Sequence, residues 1–552
     1  MKFNPRKFRS VFQPRGVVCF FVFQIICFIS AGVTAADHGA ATQPAEPLVM
    51  ATALDAAIQK KLDASKIPAS PLADDAAFMR RVYLDLTGRI PTLEQANAFL
   101  ASNDIDKRAK LIDELLARPE YGRHFATIWR DLLEDRTPEM GHARDYSWKF
   151  IAWMAEGLNQ GRGWNEIVKE MLTAEGPATE NPRTLFILAN VGNDDIPRAE
   201  NITRSVGKFF MGIQVGCAQC HNHPFVKEWK QDDFWGMAAF FGQIRDHTFD
   251  GNGGSPKPTY SEKLNPDAKK ELANNRRIVR QGLLPPVDGP KIAIPSSANP
   301  TQTLRVVPAK YFLGDTPTLD DKGPYRPKFA EWLTSRDNRY FARAAANRLW
   351  AHFLGRGWVA PVDNISPGNP PANPEALALL EKEFAACGFD QKHLIRVICN
   401  TQAYQRTSRP LKENKADDKL CSHQTFRQLT ADQMFDSLYI VIGRKISLGK
   451  DRDNGTAIFA TKEPDDALTE FNYGIPQFLY QMNSGIANGD RYMTNRFTKS
   501  KNKEENIRTM YVTVLSRPPR PAELKLMLAY LDKSATPLDG YRDIFWALVN
   551  SA

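Results

Sequence analysis

Beyond its first thirty residues the sequence has no apolar run long enough to cross a membrane as a helix. Catalytic signatures are missing as well. There is no Gly-x-Ser-x-Gly elbow, no phosphate-binding Walker loop and no dinucleotide fingerprint. Acidic residues are plentiful, yet no pair of them is singled out as a glycosidase-type couple. No enzyme class can therefore be assigned from motifs. No internal repeat is found, which argues against a solenoid or propeller. Cysteine and histidine are scarce, at 7 and 9 in 552 residues, and that scarcity gives weight to the one place where they cluster.

The first stretch lacks acids altogether. Lys2, Arg6, Lys7, Arg9 and Arg15 precede an apolar run from Val17 to Ile29, and Val33-Thr34-Ala35 fits a small-residue cleavage site. This order reads as a secretory signal peptide over residues 1–35, with the mature chain starting near Ala36. Five of the nine net positive charges fall in that segment, so the remainder carries only +4. A nucleic-acid partner then loses its electrostatic support. Cys19 and Cys27 also leave, and Cys217, Cys220, Cys387, Cys399 and Cys421 remain, in an oxidising compartment. The expected location is the periplasm, the cell envelope or the extracellular space, with no stable membrane span after cleavage.

The remaining chain is too long for one small core and predicts two helical domains. Residues 36–49 read as a flexible leader. Residues 50–245 show short amphipathic helices, one capped by Asp74-Asp75 and stopped by Gly88. Residues 246–318 are rich in Gly and Pro and read as a connector. Ile292-Ala293-Ile294 and Leu304-Arg305-Val306-Val307 are short strand candidates within it. Residues 319–552 return to helical periodicity. The fold class expected is mainly α, with minor β elements in the connector.

The chain is organised around Gly216-Cys217-Ala218-Gln219-Cys220-His221-Asn222-His223-Pro224-Phe225. Cys-x-x-Cys-His is the attachment pattern for c-type haem, and chance at this composition gives on the order of 10⁻³ such strings. On a helical turn Cys217, Cys220 and His221 would share one stripe, two thiols for the porphyrin vinyl groups and one imidazole for iron. His223 is too near in sequence to reach the opposite haem face. Met237 and His247 are the nearest candidates for a distal ligand. A second reading is a Zn or Fe ion held by Cys217, Cys220 and His223, with His221 or a distant residue completing the set. A Cys217–Cys220 disulfide or redox pair, or plain packing, is a third. In the second half Arg348, His352 and Arg356 recur at every fourth position. They could bind an anion such as a haem propionate, or pair with acids such as Asp337 and Asp363 where helices meet. The pairing is the commoner use.

Several stretches carry a family resemblance. Arg80-Arg81-Val82-Tyr83-Leu84-Asp85-Leu86-Thr87-Gly88-Arg89-Ile90-Pro91-Thr92 and the segment from Gly212 to Phe241 resemble the planctomycete cytochrome-associated domain, a domain of unknown function. Trp332-Leu333-Thr334-Ser335, the segment Asn347 to Gly357, and Leu515-Ser516-Arg517-Pro518-Pro519 resemble its usual companion domain. The resemblance implies an exported planctomycete-type protein and brings no established activity. The leading expectation is an exported c-type haem protein with an electron-transfer role and a redox partner or envelope component beside it. The alternatives are a Cys/His metal-binding scaffold, or a hydrolase or oxidoreductase with its site between the domains.

Overall fold

The computed structural model describes residues 43–133, 147–176, 180–190, 198–244, 246–247, 260–261, 287, 289–296, 298–299, 302–320, 323–446, 452, 456, 482–483 and 496–551. The expected signal peptide and residues 36–42 of the leader lie outside these residues. So does most of the connector. The architecture is mainly α, with nineteen α-helices and two small antiparallel sheets among the described residues.

Local chemistry explains where helices start and stop. α1 (Pro47–Ser65) begins inside the expected leader, because a proline is well tolerated in the first turn. α2 (Asp75–Thr87) starts where the Asp74 side chain accepts from the Ala77 amide at 2.8 Å. It ends at Gly88 in the left-handed region, as its sequence signals. α3 (Leu93–Ala101) carries a reciprocal Thr92–Gln95 cap. α4 (Lys107–Ala117), α5 (Pro119–Leu133), α6 (Ser147–Asn159) and α7 (Trp164–Thr173) follow as amphipathic pieces. A short turn, α8 (Leu185–Leu188), precedes α9 (Ala199–Val206), and α10 (Gln231–Ala238) follows the cysteine motif.

The two connector strands form as their sequence suggests. β1 (Asp246–His247) pairs with β2 (Tyr260–Ser261), and β3 (Lys291–Pro295) pairs antiparallel with β4 (Thr303–Pro308). Ile292, Ile294 and Val307 are buried, whereas Leu304 and Val306 stay exposed. The later helices are α11 (Arg326–Leu333), α12 (Phe341–Leu354), α13 (Pro374–Ala386), α14 (Gln391–Asn400), α15 (Gln402–Gln405), α16 (Ala431–Ile442), α17 (Lys503–Leu515), α18 (Pro521–Lys533) and α19 (Pro537–Val549).

Residues 43–552 form one compact unit. The helices on either side of the connector share a core, in which Leu54, Phe78, Phe125, Trp164 and Phe210 meet Trp350, Phe353, Leu394 and Tyr404. Polar ties reinforce it. Asp55 on α1 accepts from the Gln402 amide at 2.8 Å, and Asn373 donates to the Ala57 carbonyl at 3.1 Å. A smaller cluster joins Leu84 and Ile90 to Ile507, Met510 and Phe545 near the C-terminus. Among the described residues no helix is long and apolar enough to cross a membrane.

Candidate functional site

The motif sits on a surface turn whose geometry starts upstream. α9 widens into a π-turn over Gly207–Met211, which ends at Gly212 with φ 65°. A side chain at Gly212 would strike Ile365, whose Cδ1 lies 2.7 Å from the Cβ position, and Ile365 donates to the Gly212 carbonyl at 2.8 Å. Only glycine satisfies both the left-handed backbone and that approach. The chain then makes a 3-10 turn, Val215–Gln219. Within such a turn positions three apart eclipse. Cys217 lies inside this turn, Cys220 caps its end and His221 lies beyond it.

α10 clamps the end of this turn. Trp235 Nε1 donates to the Gln219 carbonyl at 2.8 Å, and Gln231 Nε2 donates to the carbonyls of Gln219 and Cys220 at 3.1 Å each. The Gln231 amide donates to Asn222 Oδ1 at 3.1 Å, and Arg305 donates to Gln231 Oε1 at 2.9 Å. On the other flank the Arg204 stem crosses Gly216, its Cδ 3.4 Å from the Cβ position there. Cys217 and Cys220 are both free and exposed.

The two histidines are used differently. His221 is exposed, and its Nδ1 lies 2.7 Å from the Asn222 carbonyl. A carbonyl only accepts, so in the neutral ring Nδ1 carries the proton and Nε2 keeps the lone pair. His223 is half-buried and turned inward. Its Nδ1 accepts from the amides of Val226 at 3.0 Å and Phe225 at 3.3 Å. Its own amide donates to the Trp229 carbonyl at 2.9 Å. Burial holds its imidazole below the usual range, opposed by a hydrogen bond to the Gln214 backbone. His223 is thus the internal brace of the loop. Among the described residues no three His, Cys, Asp or Glu side chains converge as a metal-ligand set.

The remaining expected site residues lie elsewhere. Met237 is fully buried on α10. It stands two residues past Trp235, about 200° round the helix from the face that grips the motif. It belongs to the core. His247 is in β1, where only the backbone is described. Arg348, His352 and Arg356 form no open anion-binding face. Arg348 is buried, donates to the Lys208 carbonyl at 3.0 Å, and is pushed down to about 10 by burial. Asp363 is the acid that opposes that shift, and Asp337 plays no part. Arg356 pairs with Asp418 at 3.3 Å.

His352 instead leads to a buried polar seam that the sequence did not announce. Its Nε2 lies 3.3 Å from the Asp85 carbonyl. The Asp85 carboxylate accepts from one Arg427 nitrogen at 2.8 Å to each oxygen and from the Tyr404 hydroxyl at 2.9 Å. Arg427 also donates to the His352 carbonyl. The His124 ring lies 6.1 Å from that of His352 and packs against Gly88. Nearby, Asp436 holds Arg123 at 3.2 Å and Arg452 at 3.0 Å. Arg80 reaches the Val514 carbonyl at 2.9 Å and Ser516 at 3.1 Å. The stretches Arg80 to Thr92, Asn347 to Gly357 and Leu515 to Pro519, which carry the resemblance, thus meet at one place. Asp85 and Asp436 are buried and matched by guanidinium groups, of which those of Arg427 and Arg123 are partly exposed, an arrangement that suits a structural ion-pair network.

No curated protein and no solved structure matches the chain. Two family models do. One, PSCyt2, a protein of unknown function (DUF1549), matches residues 53–246 and contains the cysteine motif. The other, PSD1, a protein of unknown function (DUF1553), matches residues 325–469. The chain thus carries a DUF1549 domain followed by a DUF1553 domain, both of unknown function.

Proposed function

We propose that Cys217, Cys220 and His221 are the attachment site of a c-type haem in an exported electron-transfer protein of the cell envelope. The observation that carries this reading is the state of His221. Its Nδ1–H is held by the Asn222 carbonyl, which leaves Nε2 as the electron-pair donor a haem iron requires, beside two free and exposed thiols. The donor set fits the group. Cys217 and Cys220 would hold the porphyrin through thioethers, and His221 would be the axial ligand on one side. The group would supply a one-electron carrier at the surface. The chain's own part is to fix the turn. Trp235 and Gln231 pin its carbonyls, and His223 braces the loop beyond it.

The alternative of a Zn or Fe site draws less support. It would have to take His223 away from the amides of Phe225 and Val226, which already occupy Nδ1. The test is an absorption spectrum with metal analysis on protein made in a host with cytochrome c maturation. A Soret band that survives acid-acetone extraction, and vanishes in Cys217→Ser/Cys220→Ser, is the expected result. Stoichiometric zinc without a Soret band would overturn it. Export is checked by N-terminal sequencing of the protein from the cell envelope, with a start near Ala36 expected.

A further inference from the structure

We infer that the loop over residues 222–230 is a docking tip for an acidic partner protein, with Phe225 at its centre and Arg204, Lys227 and Lys230 at its rim. The partner's chemistry rests on the reading of Cys217–His221 as a redox centre. The surface itself rests on separate observations.

Phe225 is 89% exposed, next to the exposed Pro224. Leaving such a ring in water forgoes the free energy of its burial. Slack in the loop does not explain the exposure. Asn222 is fixed by the Gln231 amide, His223 by three backbone hydrogen bonds, and Val226 and Trp229 are buried beneath. The Trp229 ring packs edge-on against His223 at 4.9 Å and against Phe312 at 5.6 Å. A rigid loop that holds an aromatic ring outward is pre-organised for contact, since little conformational freedom is lost when a partner covers it.

The charge around it is net positive. Arg204 lies over Gly216, beside Cys217. Lys230 precedes α10 and donates to the Lys227 carbonyl, and both lysines are exposed. Arg204 spends one donor on Asn201, and among the described residues none of the three cations is in an ion pair. Asp232 is matched by Arg305 at 2.5 Å, which leaves Glu228 as the one acid without an ion pair in this loop. The complement is therefore an acidic surface with an apolar centre. A membrane surface is disfavoured, because a single ring provides too little apolar area for stable interfacial binding.

The experiment uses the mature full-length protein, with and without haem. Its probes are a fluorescent Glu/Asp-rich peptide carrying two leucines, the same peptide with lysines in place of the acids, and vesicles of anionic phospholipid. The acidic peptide is expected to bind, to weaken steeply with salt, and to slow alkylation of Cys217 and Cys220. Affinity should fall tenfold or more in Phe225→Ser and in Lys227→Glu/Lys230→Glu, at exposed positions whose replacement leaves the fold intact. No binding of the acidic peptide, equal binding of the basic one, unchanged affinity in both variants, or binding to vesicles alone would each overturn the inference. If the protein takes up no haem and the peptide still binds as stated, the surface stands and the haem reading falls.

Discussion

His221 and His223 show how two residues of one kind, two positions apart, are set to different work by their neighbours. One keeps Nε2 as a lone pair, and the other spends Nδ1 on two amides. Their substitutions should therefore separate. His221→Ala is expected to abolish a normal low-spin haem spectrum while leaving the loop intact. His223→Ala is expected to keep the haem and to make residues 222–229 sensitive to protease, because the amides of Phe225 and Val226 lose their acceptor. A haem-loaded protein in which only the His223 variant loses its spectrum would count against the assignment. Asp85 is a second residue of this kind. Asp85→Ala leaves Arg427 unmatched beside buried aromatic rings and should cost about 3–5 kcal/mol in urea unfolding. Neither role could be read from sequence, since the partners of Asp85 are 267 to 342 positions away.

Elements were legible where their signal is local. The cap of α2, its stop at Gly88, and the strands that became β3 and β4 follow from neighbouring residues. The turn carrying the cysteines was not legible as it stands. Its apolar residues suit an α-helix, and the departures into a π-turn and then a 3-10 turn answer to tertiary contacts such as Ile365 on Gly212. The burial of Met237 was not legible for a related reason, because sequence proximity to the motif says nothing of which face of α10 it occupies. Gly88 gives a prediction at this scale. Its φ is +70°, and a Cβ there would stand 2.5 Å from His124 Nδ1. Gly88→Ala should cost more than the ~1–2 kcal/mol of the left-handed conformation alone, and His124→Ala should recover part of that loss, as a double-mutant cycle would show.

At the scale of the whole molecule, the shared core changes what a break in the connector would do. A cut between 246 and 318 is expected to leave two fragments that stay associated through α1, α13 and α14, and size-exclusion chromatography after limited proteolysis would show one peak. Acid should be what parts them. His124 and His352 are both buried at the seam, and burial is the first cause that holds them down to about 3 and about 4 from an ordinary 6.5. For His124 the neighbouring His352, Arg123 and Arg452 push further down and Asp432 opposes. For His352 Arg427 pushes down and Asp85 opposes. The folded chain thus binds fewer protons here than the unfolded chain. The stability these groups contribute is complete above pH 6.5 and is lost as pH falls below 6.5, toward 4 for His352 and 3 for His124, at up to about 1.4 kcal/mol per pH unit for each histidine. Melting temperature should therefore drop below pH 6.5, with proton uptake on unfolding. In His352→Phe the acid limb should flatten even though the lost bond to Asp85 lowers stability at every pH. An acid limb of unchanged slope in that variant would assign the sensitivity to other groups.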